Sequence, residues 1–364
     1  MTDDRPRPDW DLRVPTADQL KAYMAPTWIA FAEATSGPEV DDWAKQVEPD
    51  RWLAAFESPE SEEPVGAAAA LTRRLTVPGG EIPAAAITAV GVRPDHTRRG
   101  VLSTLMRRQL DDVRAAGEPV AILWASEGVI YQRFGYGLAT LDGGFEAVTA
   151  RTAFTREPEP EGRVRLVTEE ESRRLFPPVY DAMRTTTPGA IDRPEEWWNI
   201  GILADPEYSR RGLSEKYRVV HEVNGSAEGY AIYRVKQDWD HLGPKSVLEV
   251  RDAVATTPRA LRAIWRYLFD VDLVRTVKAS HLAVPNPLLH MLAEPRALAF
   301  GIADALWARL VDLPGALQAR RYATSDELVF EVSDRFCPWN DGRWRIRTDG
   351  EPGAAEATVE PTTD

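Results

Sequence analysis

The chain has a single cysteine, Cys337, so no internal disulfide framework can staple it, and a reducing compartment suits it. Long apolar runs are missing too. The longest, residues 65–71 and 84–92, fall far short of the roughly 20 residues that cross a bilayer. The opening MTDDRPRPDW has no apolar core, and no signal peptide is expected. The five histidines show no HExxH or paired-ligand spacing, so no metal site is expected. The absence of a G-x-S-x-G elbow disfavours a hydrolase of that type. Positive charge is also short: 44 Lys and Arg stand against 57 Asp and Glu, a net −13 that argues against general nucleic-acid binding. What these absences leave is a soluble, cytoplasmic protein with neither membrane nor nucleic-acid partners. At roughly 150 residues per domain, its 364 residues hold two to three domains.

What is present starts with a hydrophobic content of 43%, enough for ordinary cores. Charge is uneven. Residues 1–63 carry 15 acidic and 6 basic side chains, whereas residues 91–117 carry six arginines against three aspartates. An acidic stretch beside a basic one suits a cationic substrate meeting an anionic cofactor, although chance clustering on a solvated surface gives the same counts.

The hydrophobic pattern reads as mixed α/β. A strand is expected over 10–14, a helix capped by Thr16 through about Ala34, a short helix over 39–47, and strands over 52–56, 65–77 and 84–92. A turn over 93–99 then leads to a helix over 100–116, closed by Gly117, a strand over 120–126 and a helix over 128–134. The proline-rich, charged REPEPEG of residues 156–162 marks a domain boundary. Beyond it the order repeats: strand 248–255, helix 258–268, strand 274–284, short helix 288–292. The second turn, Thr256-Thr257-Pro258-Arg259, lacks the glycine and the arginines of the first, so this copy should keep the fold and lose the anion site. Residues 306–364 read as strand 307–311, helix 314–320 and strands 328–332 and 344–347, too few for an independent core.

The strongest local signal is VGVRPDHTRRGVL, residues 90–102. A strand ends at Val92, and an arginine- and glycine-rich turn runs into a helix N-terminus. The first amides of that helix lack intrahelical partners and sit at the positive end of its dipole, where they favour a phosphate. Gly100 permits close backbone approach, and Arg98 and Arg99 add charged hydrogen bonds. An ordinary strand-to-helix turn with surface arginines reads equally well on these residues alone. GPKS at 243–246 lacks the upstream glycine of a phosphate loop, and Cys337, alone before Pro338, reads as structural.

Residues 87–102, the strand 120–126 and the run SEGVIYQRFGYG (126–137) together resemble the acetyl-CoA-binding core of the Gcn5-related N-acetyltransferases, and more narrowly their Eis-like branch. LTVPGG at 75–80, GYAIYRV at 229–235, SVLEVRDAVA at 246–255 and residues 306–322 extend the resemblance over nearly the whole chain. It implies an α/β mixed-sheet fold: an acetyl-CoA-binding acetyltransferase domain over 1–155, a degenerate second acetyltransferase-like domain over 163–300, and a partial sterol-carrier-like domain over 301–364. It also implies an acetyl-CoA-dependent N-acetyltransferase, with acetyl-CoA as co-substrate and no metal, acting on amines of cationic small molecules (aminoglycosides or polyamines) or lysine, and a hexamer.

By the same resemblance the backbone at Val90 and Val92 would bind the pantetheine arm like an added strand. Arg98, Arg99 and Gly100 would hold the pyrophosphate, and Ser126 would lie beside the cofactor. Tyr131 would be the general acid that protonates the leaving thiolate, as a phenol of pKa about 10 can. Glu33 and Trp43 would line the acceptor pocket; by spacing alone they are a solvated helix position and a core residue. One departure stands out. Thr97 occupies the place where the family's phosphate turn opens with Arg or Gln, keeping one hydroxyl donor but no charge. The chain ends EATVEPTTD, unlike the aromatic-rich terminus whose carboxylate serves as the family's base. A shortened chain, its last strands unpartnered, is therefore expected. The alternative is a non-catalytic acyl-CoA or apolar-ligand binder that retains the fold.

Overall fold

In the computed structural model, which describes residues 10–156 and 161–363, the first sheet begins with the short strands β1 (Asp11–Arg13) and β2 (Trp52–Phe56). The long hairpin β3 (Gly66–Val77) and β4 (Gly80–Val92) follows, then β5 (Val120–Trp124) and β6 (Gly137–Leu138). Ala67–Ala70 and Ala84–Ala85 are buried at its centre. A strand covered on both faces reads as a continuous apolar run rather than an alternation, which is why 66–71 looks uniformly hydrophobic. On one face packs α3 (Val101–Ala115), through Val101, Leu105, Met106, Leu110 and Val113 at helical spacing. On the other lies α1 (Leu20–Ala30), with Leu20, Tyr23 and Met24, followed by α2 (Gly37–Ala44). Helix α1 starts three residues later than a Thr16 cap would place it. The Thr16 hydroxyl donates to Asp18 (2.7 Å) instead, and residues 16–19 form a turn. The short helix α4 (Gly128–Gln132) follows β5.

The second sheet has β8 (Arg163–Leu166), β9 (Tyr217–Val223), β10 (Ser226–Lys236), β13 (Ser246–Ala255) and β14 (Val274–Leu282) in spatial sequence; β11 (Trp239–Asp240) and β12 (Gly243–Pro244) form a separate small ribbon. Helix α5 (Glu169–Arg184), opened by a capping box between Thr168 and Glu171, packs with the π-helix Trp197–Leu203 on one face. Helix α6 (Pro258–Phe269) covers the other with Ile264, Trp265 and Leu268, and α7 (Leu288–Met291) follows. The linker expected at 156–162 lies largely outside the described residues.

The sheets are completed by strands from unexpected places. β7 (Leu141–Val148), read from sequence as part of the first domain, pairs with β14 and with β15 (Gly301–Asp304) in the second sheet. β16 (Leu306–Leu310), read as the start of the C-terminal segment, lies in the first sheet between β5 and β6. The described residues accordingly fall into two compact units. One holds residues up to Ala139, Pro188–Ile191 and everything from Leu306; the other holds Thr140–Thr187 and Asp192–Ala305. Pairing partners far apart in sequence leave no mark on local periodicity, so the boundaries near 155 and 301 could not reveal this exchange.

Within the first unit, α8 (Leu313–Gln318) precedes a three-stranded antiparallel sheet of β17 (Asp326–Val332), β18 (Gly342–Asp349) and β19 (Glu356–Pro361). The last strands, expected to lack partners, therefore pair with one another. Their own core is small, centred on Leu313, Trp344 and Val359. The loop before β18 packs into the core under α3: Cys337 is buried there with Phe336 and Trp339, Arg107 donates to the Phe336 carbonyl, and Arg309 pairs with Asp334 at 2.6 Å.

Candidate active site

The site grows from one irregularity in β4. On one edge β4 stays paired with β3 as far as Val92. On the other, its parallel pairing with β5 covers only Ala84–Ala86 against Val120–Ile122, although β4 runs on for six more residues. Among the described residues the backbone of 87–92 thus has no strand partner on the β5 side, and an extended ligand can hydrogen-bond there as a strand would. A β-bulge redirects this stretch: Ala89 and Val90 together face Ala68, with Ala89 at φ 52°. Helix α1 fixes the bulge. The Thr27 hydroxyl donates to the Ala89 carbonyl (2.8 Å), and a Cβ on Gly91 would lie 2.7 Å from the Thr27 Cα, a contact only glycine allows. Ala89 packs with the cluster around Tyr23 and Trp52, whereas Val90 and Val92 pack with the cluster that contains Tyr131. Neighbouring residues of one strand therefore serve opposite faces.

Past Val92, the turn is held from within. Arg93 N–H donates to the Val65 carbonyl (2.9 Å), and its guanidinium pairs with Asp95 (2.9 Å) and Glu63 (3.2 Å). His96 is buried: its Nε2 lies 2.9 Å from Glu57 and its ring edge faces Trp10 at 6.2 Å. His96 Nδ1 is 2.9 Å from Asp95 Oδ1 but poorly aligned for a hydrogen bond. Contact with His96, reinforced by Arg93, brings the Asp95 carboxyl down to about 2. The three residues expected to hold a pyrophosphate are exposed or half-exposed at the end of this turn. Arg98, at φ 62°, has no partner among the described residues. Arg99 shares its charge with Glu57 (3.2 Å) and lies 5.2 Å over the Trp10 ring, while its carbonyl accepts from Trp10 Nε1 (3.3 Å). Gly100, at φ 91°, is the N-cap of α3 and offers no side-chain cap, and nothing lies within 4 Å of where its Cβ would stand. The leading amides of α3 are left open, as an anion requires. Thr97 differs from the expectation of a spare hydroxyl: it donates to the Pro94 carbonyl (3.1 Å) and is used inside the turn.

Ser126 is exposed in the loop that leads to α4. Tyr131 follows on α4, 6% exposed and edge-on to Tyr136 at 5.9 Å. Its hydroxyl has no hydrogen-bond partner among the described residues, and burial raises its pKa above the usual phenol value, Arg133 partly opposing. A phenol so placed stays protonated at neutral pH.

The two residues expected on the acceptor side are not alike. Glu33 is exposed just past α1, its N–H donating to the Trp28 carbonyl (3.0 Å). Trp43 is half-buried on α2 and forms an aromatic row with Trp28 (5.6 Å) and Trp52 (5.7 Å), both edge-on. The indole N–H groups of Trp28 and Trp52 are buried without a hydrogen-bond partner among the described residues. Sequence reading placed Trp28 and Trp52 on their elements but not in this row, because three separate elements contribute to it. No group of three or more His, Cys, Asp and Glu gathers as metal ligands among the described residues, and no described helix is long and apolar enough to cross a membrane.

Comparison with known proteins matches residues 11–139 and 189–310 to two acetyltransferase (GNAT) domain families, and residues 313–364 to a sterol carrier protein domain. An uncharacterized N-acetyltransferase of Streptomyces avermitilis is 39% identical over 346 residues, 94% of this chain and 83% of that protein. N-acetyltransferase Eis of Mycobacterium tuberculosis is 36% identical over 318 residues, 83% of this chain and 74% of that one. The crystal structure of Eis1 from Mycobacterium abscessus superposes with a TM-score of 0.79 at 33% identity, covering 97% of this chain and 85% of its own.

Proposed function

We propose a reaction on the premise that this chain belongs to the Eis-like Gcn5-related N-acetyltransferases, with two GNAT domains followed by a sterol-carrier-like segment. As an enzyme of that family it moves an acetyl group from acetyl-CoA to an amine. Our reading assigns that transfer to the first domain and the acceptor to amines of a cationic small molecule, of aminoglycoside or polyamine type, or of lysine. The observation that carries it is the early end of the β4–β5 pairing, followed within one turn by an uncapped helix and the unpartnered Arg98. Those residues fit a CoA thioester: open backbone for the amide-rich arm, open amides and a free cation for the diphosphate.

In this reading 87–92 hold the arm through Val90 and Val92, while Arg98, Arg99 and the amides after Gly100 hold the diphosphate, with Ser126 beside it. Tyr131 supplies the proton that the departing thiolate needs; its raised pKa keeps that proton in place across the neutral range. The aromatic face of Trp43 and the carboxylate of Glu33 receive the cation on the α1 side, helped by the acidic character of residues 1–63. Thiol release measured over a panel of amines tests the whole. Tyr131→Phe should lower kcat about 10²-fold and leave the KM for acetyl-CoA in place. An unchanged kcat removes Tyr131 from the chemistry, and stabilisation by acetyl-CoA without turnover on any amine leaves only a binder. A loss of kcat at high pH caused by Tyr131 should appear above pH 10, because the shift is upward. The reading includes a hexamer, which sedimentation equilibrium of the full chain checks.

A further inference from the structure

On the α5 face of the second sheet lies a cavity of about 210 Å³ whose walls carry four cations, Arg193, Lys216, Arg234 and Arg251, against one carboxylate, Asp252. Ser209, Ile232, Gly201 and Ile202 complete it, the last two from the π-helix. This is the face that in the first domain bears α1 and the tryptophan row. π-Helical turns are rare and concentrate at functional sites, and here the turn forms one wall.

The hydrogen bonds show what the walls have left to give. Arg193 is taken up by Asp252 (2.6 Å) and Tyr230 (3.2 Å). Arg234 is 2% exposed and donates to the Ser214 carbonyl (2.6 Å) and Ser209 Oγ (2.9 Å), with Asp205 2.7 Å away. Lys216 Nζ donates to the carbonyls of Ile202 and Ala204, both at 2.6 Å, which uses two of its three protons. Arg251 is the bulged residue of β13: Ile232 faces Asp252 and Tyr233 faces Val250, leaving it between them. Among the described residues its one ion pair is with Glu249, at 3.7 Å, and its side chain is 54% exposed at the cavity's edge. One lysine proton thus remains unused, and one guanidinium is held only by the long 3.7 Å pairing with Glu249, in a pocket smaller than the roughly 300 Å³ of drug-sized sites.

We propose that this cavity binds a small dianion of phosphate type, free or carried by a small metabolite, with Arg251 and Lys216 as its donors. Guanidinium supplies paired N–H groups to such an oxyanion, and the lysine adds a point charge. The site is separate from the acetyl-transfer reaction and stands without it. Lys216 already registers the crowding of cations: burial, with Arg234, Arg218 and Arg251 against Asp205, brings its pKa down to about 8. A dianion would raise it again, so binding at pH 8 should take up protons.

The test is calorimetry of the full chain saturated with CoA, so that the diphosphate turn is occupied, titrated with inorganic phosphate and, in a second arm, with glycerol phosphate. We expect heat of binding for at least one, with net proton uptake at pH 8. Arg251→Gln, which alters an exposed side chain and should leave the fold intact, is expected to weaken binding about tenfold and leave CoA affinity unchanged. Tighter binding of glycerol phosphate would identify the group as carried, and tighter binding of inorganic phosphate as free. No binding in either arm, or binding that Arg251→Gln leaves alone, overturns the proposal.

Discussion

The two GNAT domains share a plan and differ at one junction. Each has a central strand with a bulge, Ala89–Val90 in β4 and Arg251 in β13, and each strand runs into a helix on the same side of its sheet. In the first, parallel pairing stops at Ala86, three residues before the bulge. In the second it continues to Val250, right up to the bulge. The first helix opens on Gly100 with no cap, after seven residues of turn rich in arginine. The second opens on Thr257, whose hydroxyl accepts from Ala260 N–H (3.2 Å), with Pro258 at the first helical position and so one amide fewer. The fold is common property. What differs is a handful of residues where strand meets helix, which leave the first junction open and close the second on itself.

That contrast can be broken on purpose. Transplanting the second domain's helix start into the first, Gly100→Thr with Val101→Pro, should remove two or more charged hydrogen bonds. CoA affinity should then fall about 10²-fold or more by calorimetry. Affinity within threefold of wild type would mean that the cap is not what separates the domains. Arg98→Ala should cost about tenfold and flatten the salt dependence of CoA binding, since this cation has no other partner among the described residues. In the second domain, Thr257→Ala should lower stability by about 1 kcal/mol in urea unfolding and leave CoA binding untouched. The smallest effect is a gain. Glu57→Gln releases Arg99 from its ion pair and should tighten CoA about two- to threefold at low salt.

Much of this junction could be read from the sequence. Turn chemistry is local, so the residues from Val92 to Gly100 announce a strand end, a turn and a helix start, and the turn Thr256–Arg259, without the glycine and the arginines, announces a helix start with no anion site. The C-terminal stop at Gly117 is local in the same way. What escaped reading is what depends on distance. β7 and β16 look like strands in any sheet, and nothing in Leu306–Leu310 says that its neighbours are β5 and β6. The basic cavity escaped for a related reason, since its cations come from β10, β13 and two connecting segments. Helix α5 went unread, although Thr168 followed by Glu171 is a capping-box signal; Pro177 and Pro178 lie within it. The use of Thr97 inside the turn, rather than toward a ligand, depends on how the chain brings the Pro94 carbonyl back to its hydroxyl, which residue type alone does not show.

The position of β16 bears on how the protein is born. β5 takes its antiparallel neighbour from residues 306–310, some 180 positions downstream, and Trp307 of that neighbour fills the core beside Tyr131. While the ribosome is still making the middle of the chain, the N-terminal sheet has an exposed edge and a hole where an indole belongs. Closing so long a loop is slow, and the nascent first domain waits for it. A first sheet with that edge paired and that indole in place can form only after the second domain has left the tunnel.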